Sequence, residues 1–498
     1  MSEPQDAQPG EGGDSRLVEE RRAKLAALRA AGVEPFPNEF PGREEIAAVR
    51  ARHGGLEPGV ETEARHRIAG RLLARRGMGK VAFLDLEDGA ARIQIQSRLD
   101  LVGEEAHRGL LALDLGDLVG IDGVAMMSRR GELTIQVEAW TLLAKSLRPP
   151  PDKHHGLRDV ETRYRHRELD LLSDPEVRQL FRTRAEVIAE VRRSFDEWGF
   201  VEVETPVLQP IYGGALARPF TTHHNALDAR LYLRIATELY LKRCVVGGIE
   251  KVYEVGKNFR NEGISHKHNP EFTMLEWYEA YADYEDGAGR LERLIAAISE
   301  RVLGSTVVER NGVDIDFKAP WKRLTLSEAI AAETGVDITT KPSRRELAEP
   351  LGRKPADEEV WGKLVDALLS KFVEPKLIQP TFLFDYPEEL SPFAKAHRSK
   401  PGVVERWEMF CGGIELANAF SELNDPDEQR RRFSQQAAEL QRGDDEAQPH
   451  DEDFLFALEH GMPPTSGVGL GIDRLVMILT GASNLREVLL FPAMRDAG

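Results

Sequence analysis

Between His66 and Lys145 apolar and polar residues alternate in five short runs, RIAGRLLARR, KVAFLDLED, ARIQIQS, DLVGIDGVAMMS and ELTIQVEAWTLL, separated by glycine-containing turns. Period-two alternation sets one face of each run against a core and the other against solvent. Five such strands within about 80 residues predict a small closed barrel, which leaves no edge unpaired. The barrel fixes a first domain at 65–146 and divides the rest of the chain around it. Residues 1–15 read as a disordered tail and 16–64 as a helical extension, in which RLVEERRAKLAALRAAG carries Leu17, Leu25 and Leu28 on one side. LRPPPDKHHG opens a linker over 147–174, stiffened by its prolines. Residues 175–498 alternate helices and strands with no internal repeat and make a second domain. Within it 305–375 reads as a helix-rich insertion and the acidic run Arg442–Asp453 as a loop. The clearest helix is 176–198: Asp174 and Pro175 suit its start, and Val177, Leu180, Phe181, Ile188, Val191, Phe195 and Trp198 recur at spacings of three and four. A strand, FVEVETPV, follows and stops near Pro206.

Length and charge narrow the function classes. A chain of 498 residues has room for about three domains. No run of about 18 apolar residues predicts a membrane span, and the polar, acidic N-terminus lacks the pattern of a secretory or transit signal, so the expected compartment is the cytoplasm. Cys244 and Cys411 are far apart, which supports neither a disulfide framework nor a thiolate metal site. A net charge of -18 argues against indiscriminate nucleic-acid binding. Residues 65–98, however, hold eight Lys or Arg against three acids, a candidate phosphate-tracking face.

Three stretches carry chemistry. FRNEGISHKHNPEFTMLEWY, Phe259–Tyr278, reads as strand, loop and strand, with Arg260 and Glu262 on one face of the first arm. On the second arm Phe272, Met274, Glu276 and Tyr278 share one face, and Thr273, Leu275 and Trp277 share the other. Nine residues, Gly263–Glu271, are long for a hairpin loop, which points to function or mobility. GVGLGIDRLVMIL, Gly467–Leu479, runs a glycine-rich strand into a helix beginning near Asp473 and matches no nucleotide-loop fingerprint. Its Arg474 sits in a first helical turn, where the macrodipole disfavours a cation by about 0.3–1 kcal/mol, so an anionic or aromatic partner is expected. WEMFCGGIELANAFSELNDP, Trp407–Pro426, places Asn418, Phe420 and Glu422 on one strand face; Glu415 has the opposite parity and could join them only through a bulge.

Together these stretches resemble motifs 2 and 3 and the amino-acid pocket of class II aminoacyl-tRNA synthetases. FRNEGIS..HNPEFTMLE.Y with ELANAFSELNDP is similar to the lysyl-tRNA synthetases in particular. Further similar segments are IYGGALARPFTTHHNALDARLYLRIATELYLKR, PTFLFDYPEELSPFAK and REVLLFP. The resemblance implies an α+β chain: an N-terminal five-stranded OB-fold barrel that binds the anticodon, followed by a class II catalytic domain of antiparallel sheet flanked by helices. It implies ATP-dependent activation of L-lysine to lysyl-adenylate and transfer to the 3′-terminal adenosine of tRNA(Lys). Arg260, Glu262 and Arg474 match its catalytic residues, and with His268 and Phe272 they would hold ATP. Gly214, Glu238, Glu276, Tyr278, Asn418 and Glu422 would hold lysine, and Glu408 and Glu415 would hold Mg2+. Arg75, Phe83, Gln94 and Glu132 would read the anticodon, with Phe83 alternatively part of the barrel core. Pro206 falls in motif 1, which implies a homodimer.

Two other functions fit parts of the sequence. A same-fold ligase that attaches lysine to a translation factor lacks the barrel predicted here, and a non-catalytic tRNA-binding protein would have lost Arg260, Glu262 or Arg474. A relative that charges aspartate or asparagine would need a cation at the side-chain end of its pocket, whereas this one is acidic.

Overall fold

The computed structural model describes residues 11–77, 79–89, 91–151, 157–356, 359–441 and 448–495, in two units, Met1–Leu157 and Arg158–Gly498. In the first unit helix α1 (Glu11–Ala30) begins ahead of the predicted Arg16, inside the stretch expected to be a disordered tail; residues 1–10 lie outside the described residues. Leu25 is buried and Leu28 packs on the barrel core, but Leu17 is 46% exposed, so the apolar side is narrower than expected. Arg21 docks α1 instead: its buried guanidinium donates to the carbonyls of Leu115, Ser146 and Arg148. A short helix α2 (Ile46–His53) also packs there through Ile46 and Val49.

The barrel closes as predicted. Strands β1 (Glu61–Arg76), β2 (Val81–Glu87), β3 (Arg92–Arg98), β4 (Leu118–Met127) and β5 (Leu133–Ala144) are ordered β1-β2-β3-β5-β4. Helix α3 (Glu104–Ala112), between β3 and β4, was not predicted. The strict alternation of β2 and β3 sends Ala82, Leu84, Leu86, Ile93 and Ile95 inward.

In the second unit the expected 147–174 linker is a linker only in part. Residues 152–156 lie outside the described residues, and helices Val160–Arg165 and Arg167–Ser173 follow, the latter held by buried Arg167 on Asp170. Helix α4 (Pro175–Glu197) is capped by the Asp174 side chain, which accepts from the Glu176 N–H, with Pro175 at its first position; Gly199, at φ 74°, ends it. The strand expected over FVEVETPV shrinks to β6 (Val201–Glu202). Helix α5 (Glu238–Val246) precedes the hairpin of β7 (Lys251–Phe259) and β8 (Glu271–Ala280), and α6 (Tyr284–Ile298) starts from an Asp283–Asp286 capping box.

The 305–375 segment is not purely helical. It holds strands Val307–Arg310 and Val313–Asp316 and also β9 (Lys322–Thr325), an edge of the main sheet. Strands β10 (Thr381–Pro387), β11 (Val403–Cys411), β12 (Ile414–Ser421) and β13 (Thr465–Gly471) complete an eight-stranded sheet ordered β9-β10-β11-β12-β13-β8-β7-β6. Its inner pairs are antiparallel; β9 on β10 and β6 on β7 are parallel. Helices α4, α6 and α7 (Ile472–Leu479) cover one face, where Phe195, Leu275, Trp277, Leu291 and Leu475 share one core. The opposite face carries the site. Of the acidic Arg442–Asp453 run, residues 442–447 lie outside the described residues, and a helix, Glu452–Leu458, has begun by its end.

Candidate active site

Cross-strand partners in an antiparallel sheet face the same side, so the register places residues that the sequence scatters. Glu408 pairs with Asn418, Asn418 with Gly469, Gly469 with Glu276, and Glu276 with Glu254, one row across β11, β12, β13, β8 and β7. The glycine at its centre leaves a hollow. Around it lies a cavity of about 350 Å³ lined by Gly214, Glu238, Arg260, Glu262, His268 and Phe272, by Glu276 and Tyr278, and by Glu408, Glu415, Asn418 and Arg474. The period-two reading of β8 holds: Phe272, Met274, Glu276 and Tyr278 face the cavity while Leu275 and Trp277 enter the core.

Two local expectations need correction. β7 ends at Phe259, so Arg260 and Glu262 belong to the loop rather than to a strand face, and Glu271 belongs to β8. The bulge that Glu415 required is present. The register slips between Met409–Ala417 and Phe410–Glu415, which leaves Leu416 as the extra residue and turns Glu415 into the cavity with Asn418 and Phe420.

The nucleotide-like end is cationic and aromatic. The Arg260 guanidinium lies 5.2 Å from the centre of the Phe272 ring. It is half-buried, and the desolvation lowers its pKa while Glu262 and Glu415 oppose the shift; its Nε is buried with no hydrogen-bond partner. Arg474 has the anionic partner its helical position called for: Nη1 donates to the Glu415 carbonyl at 2.7 Å and to its carboxylate at 3.2 Å. Asp473 fixes that turn, accepting from the Thr273 N–H at 2.8 Å and pairing with Arg184 at 2.5 Å. Burial, together with Arg474 and Lys267, lowers His268 to about 4, so it is a neutral imidazole at pH 7, joined to the Ser265 hydroxyl at 2.8 Å. The loop is tied at three points: the Lys267 ammonium to Glu374 at 2.5 Å, the His266 carbonyl to the Leu485 N–H and the Lys267 carbonyl to Arg474.

The other end is acidic. Glu276 accepts from the Thr237 N–H and the Asn258 amide, each at 3.2 Å, and burial followed by Glu238 raises its pKa. Burial and the neighbouring carboxylates hold the Tyr278 hydroxyl far above its ordinary value, so it stays a donor. Gly214, at φ 88°, donates its N–H to Gln448 at 3.2 Å, and a side chain at 214 would crowd Glu238. Glu422 is the expected residue that does not line the cavity. It lies against Gly467 and Tyr278, which do line it, and burial pushes it up to about 8, although the nearby Lys242 ammonium pulls it down.

Between the two ends stand Glu408 and Glu415. Glu408 accepts from Tyr386 at 2.8 Å and Arg406 at 2.5 Å, yet burial and then Glu415 among the opposing charges leave it raised to about 7. Among the described residues no group of three or more His, Cys, Asp or Glu is assembled to hold a metal.

Sequence reasoning missed Lys242, Arg406 and Gln448. Lys242 was legible as the i+4 partner of Glu238 in a helix. Arg406, whose Nε donates to Asn418 at 3.1 Å, lies two residues before Glu408 on the same strand face. Gln448 sits in the run read as a plain loop, and no local pattern marks it.

In the barrel Phe83 and Gln94 are half-buried on the outer face, so Phe83 is not part of the core. Gln94 accepts from Thr134 at 3.1 Å and exposed Glu132 is two residues before it. Arg75 does not join them. It pairs with inward Leu84, whereas Arg76 pairs with Phe83, and its guanidinium donates to the Leu111 and Leu113 carbonyls at the end of α3. The basic stretch 65–98 is also largely occupied: Arg65, Arg67, Arg76, Arg92 and Arg98 pair with Glu138, Asp122, Asp85, Glu87 and Asp100.

Comparison with known proteins adds to this geometry. Residues 159–495 match the family described as tRNA synthetases class II (D, K and N), and residues 66–143 match the OB-fold nucleic acid binding domain. Lysine-tRNA ligase of Moorella thermoacetica is 52% identical over 97% of this chain and 98% of its own length. The lysine-tRNA ligase of Pelotomaculum thermopropionicum is 49% identical over 97% of this chain and 95% of its own, and that of a Synechococcus strain 49% over 97% and 100%.

Proposed function

We propose, from the premise that this chain belongs to the class II tRNA synthetases and within them to the lysine-tRNA ligases, how its own residues carry out that family's reaction. The protein activates L-lysine with ATP and transfers it to tRNA(Lys). The observation that carries the residue assignment is a single cavity with a cationic, aromatic end and an acidic end, joined by one row of side chains across five strands.

ATP occupies the end where Phe272 and Arg474 offer a ring face and a guanidinium. The buried, unpartnered Nε of Arg260 supports placing its guanidinium on the α-phosphate, whose charge grows as the lysine carboxylate attacks phosphorus and pyrophosphate leaves. Glu262 and neutral His268 border the adenine edge and the pyrophosphate. The α-ammonium lies between Gly214 and Glu238, and the ε-ammonium faces Glu276, Tyr278 and Glu422 with Asn418 alongside. A neutral side chain there leaves buried carboxylates unpaired, at about 1–3 kcal/mol or more each. Glu408 and Glu415 fit Mg2+: Glu415 raises the cost of ionising buried Glu408, and a hard cation held by the two carboxylates would relieve it. Bound Mg2+ would neutralise phosphate charge between the two glutamates.

On the barrel, outward Phe83 and Gln94 support stacking and edge contacts with an unpaired anticodon base, with Glu132 nearby. Exposed Val201, Val207 and Leu208 beside Pro206 support a homodimer through this edge. The same substrates support a cytoplasmic location; among the described residues no helix is long and apolar enough to cross a membrane.

The deciding experiment is ATP-pyrophosphate exchange with lysine, aspartate, asparagine or no amino acid, on wild type and Arg260→Ala. Lysine-dependent exchange that the substitution abolishes is expected; exchange with none of the three amino acids would leave only a tRNA-binding role.

A further inference from the structure

The acidic end of the pocket contains a cation that the reaction as described does not use. Lys242 lies on α5, one turn after Glu238, and is 0% exposed. Its Nζ donates to Glu238 Oε1 at 2.6 Å, forms an ion pair with Glu422 Oε2 and stands 5.3 Å from the centre of the Phe393 ring. A buried ammonium persists only where it is paired. This one is paired twice, with one carboxylate from each end of the lysine site. Glu238 lines the cavity; Glu422 stands against its lining residues Gly467 and Tyr278, and its Oε1 has no hydrogen-bond partner. A Cβ on Gly467 would overlap that oxygen and the Tyr278 ring, so the glycine of β13 keeps the space on that side open.

We propose that Lys242 is a positioning residue that sets selectivity for an amino acid with two ammonium groups: bridging Glu238 and Glu422, it fixes their separation and the net charge of the pocket. This rests on the lysine reading of the site. Glu238, Glu276 and Glu422 are all buried; once all three are ionised, as a substrate with two ammonium groups requires, Lys242 cancels one of their charges and leaves two for those groups. The bridge also ties α5, which carries the α-amino carboxylate, to the end of β12, which carries Glu422. A shorter diamine could then satisfy one carboxylate only by abandoning the other, so the pocket measures a distance as well as a charge. If the pair merely stapled α5 to the sheet, its loss would affect ATP and lysine alike.

The test is ATP-pyrophosphate exchange by the full-length protein. Wild type is assayed first, and a lack of lysine-dependent exchange would overturn the lysine reading itself. With that exchange established, Lys242→Met is expected to raise the lysine KM ~30-fold, keep the ATP KM within about twofold and lower the lysine-to-ornithine ratio of kcat/KM ~tenfold. Equal rises in the two KM values, or an unchanged ratio, would overturn the proposal. Should the variant not fold, a crystal structure of the wild type with lysine and a non-hydrolysable ATP analogue decides. Lys242 within about 3.2 Å of both carboxylates while they meet the substrate's two ammonium groups supports the bridge; Lys242 withdrawn from either one overturns it.

Discussion

Glu422 titrates near 8 because it is buried, and the nearby Lys242 ammonium only partly offsets that cost. The sign of the linkage follows: between the ordinary glutamate value of 4.5 and about 8 the folded chain holds a proton that the unfolded chain has released, so stability falls as pH rises through that window. In the proposed lysine site recognition runs the opposite way, because an ε-ammonium facing Glu422 needs the carboxylate ionised. We expect kcat/KM for lysine in pyrophosphate exchange to climb from pH 6.5 towards pH 8 with no matching climb for ATP, and Glu422→Gln to remove the climb. The same substitution should raise the lysine KM far more than the ATP KM; equal rises would remove Glu422 from the lysine site. Gly467→Ala should reduce lysine-dependent exchange ~100-fold with the fold intact, since a Cβ there enters the space of Glu422 and Tyr278. A circular-dichroism melt checks the second half of that statement. His268 works in the opposite pH range: lowered to about 4, it resists a proton that the unfolded chain accepts from about 6.5 downward, so it costs stability as pH falls between those values. His268→Gln should flatten that part of the stability curve.

At the scale of elements, the sequence showed what was periodic and hid what was not. The face of β8 was legible because Phe272, Met274, Glu276 and Tyr278 alternate without interruption. The five barrel strands were legible for the same reason. Glu415 was not placeable from its own strand, since the bulge at Leu416 is set by pairing with β11, a contact that local pattern does not encode. Arg75 failed for a related reason: the register shift between Leu72 and Ala74 in β1 decides which of Arg75 and Arg76 shares a face with Phe83. The helix cap at Asp174 was legible directly, whereas β9 was lost inside a segment whose helices dominate its composition. Phe83, outward on β2, makes the barrel testable by itself. Phe83→Ala should raise the KM for tRNA at least ~tenfold, as expected for loss of one stacked base, and leave lysine-dependent exchange unchanged. A matching loss in exchange would return Phe83 to a purely structural role.

For the whole molecule, charge and surface decide the partners. With a net charge of -18 and most arginines of 65–98 already paired, tRNA has to be recognised by a few placed contacts rather than by a basic field. Its binding should therefore show a shallow dependence on salt, read as the slope of log Kd against log salt concentration. The apolar strip beside Pro206 makes a second prediction: Leu208→Asp should shift sedimentation from dimer to monomer and lower exchange activity. Beyond these, the two units have separate hydrophobic cores, one inside the barrel and one beneath the catalytic sheet. Faults in such a chain are compartmented. A destabilising change in the barrel interior would leave a protein that still burns ATP on lysine but has lost its sense of which RNA deserves it, so errors of decoding and errors of supply can arise, and be selected against, independently.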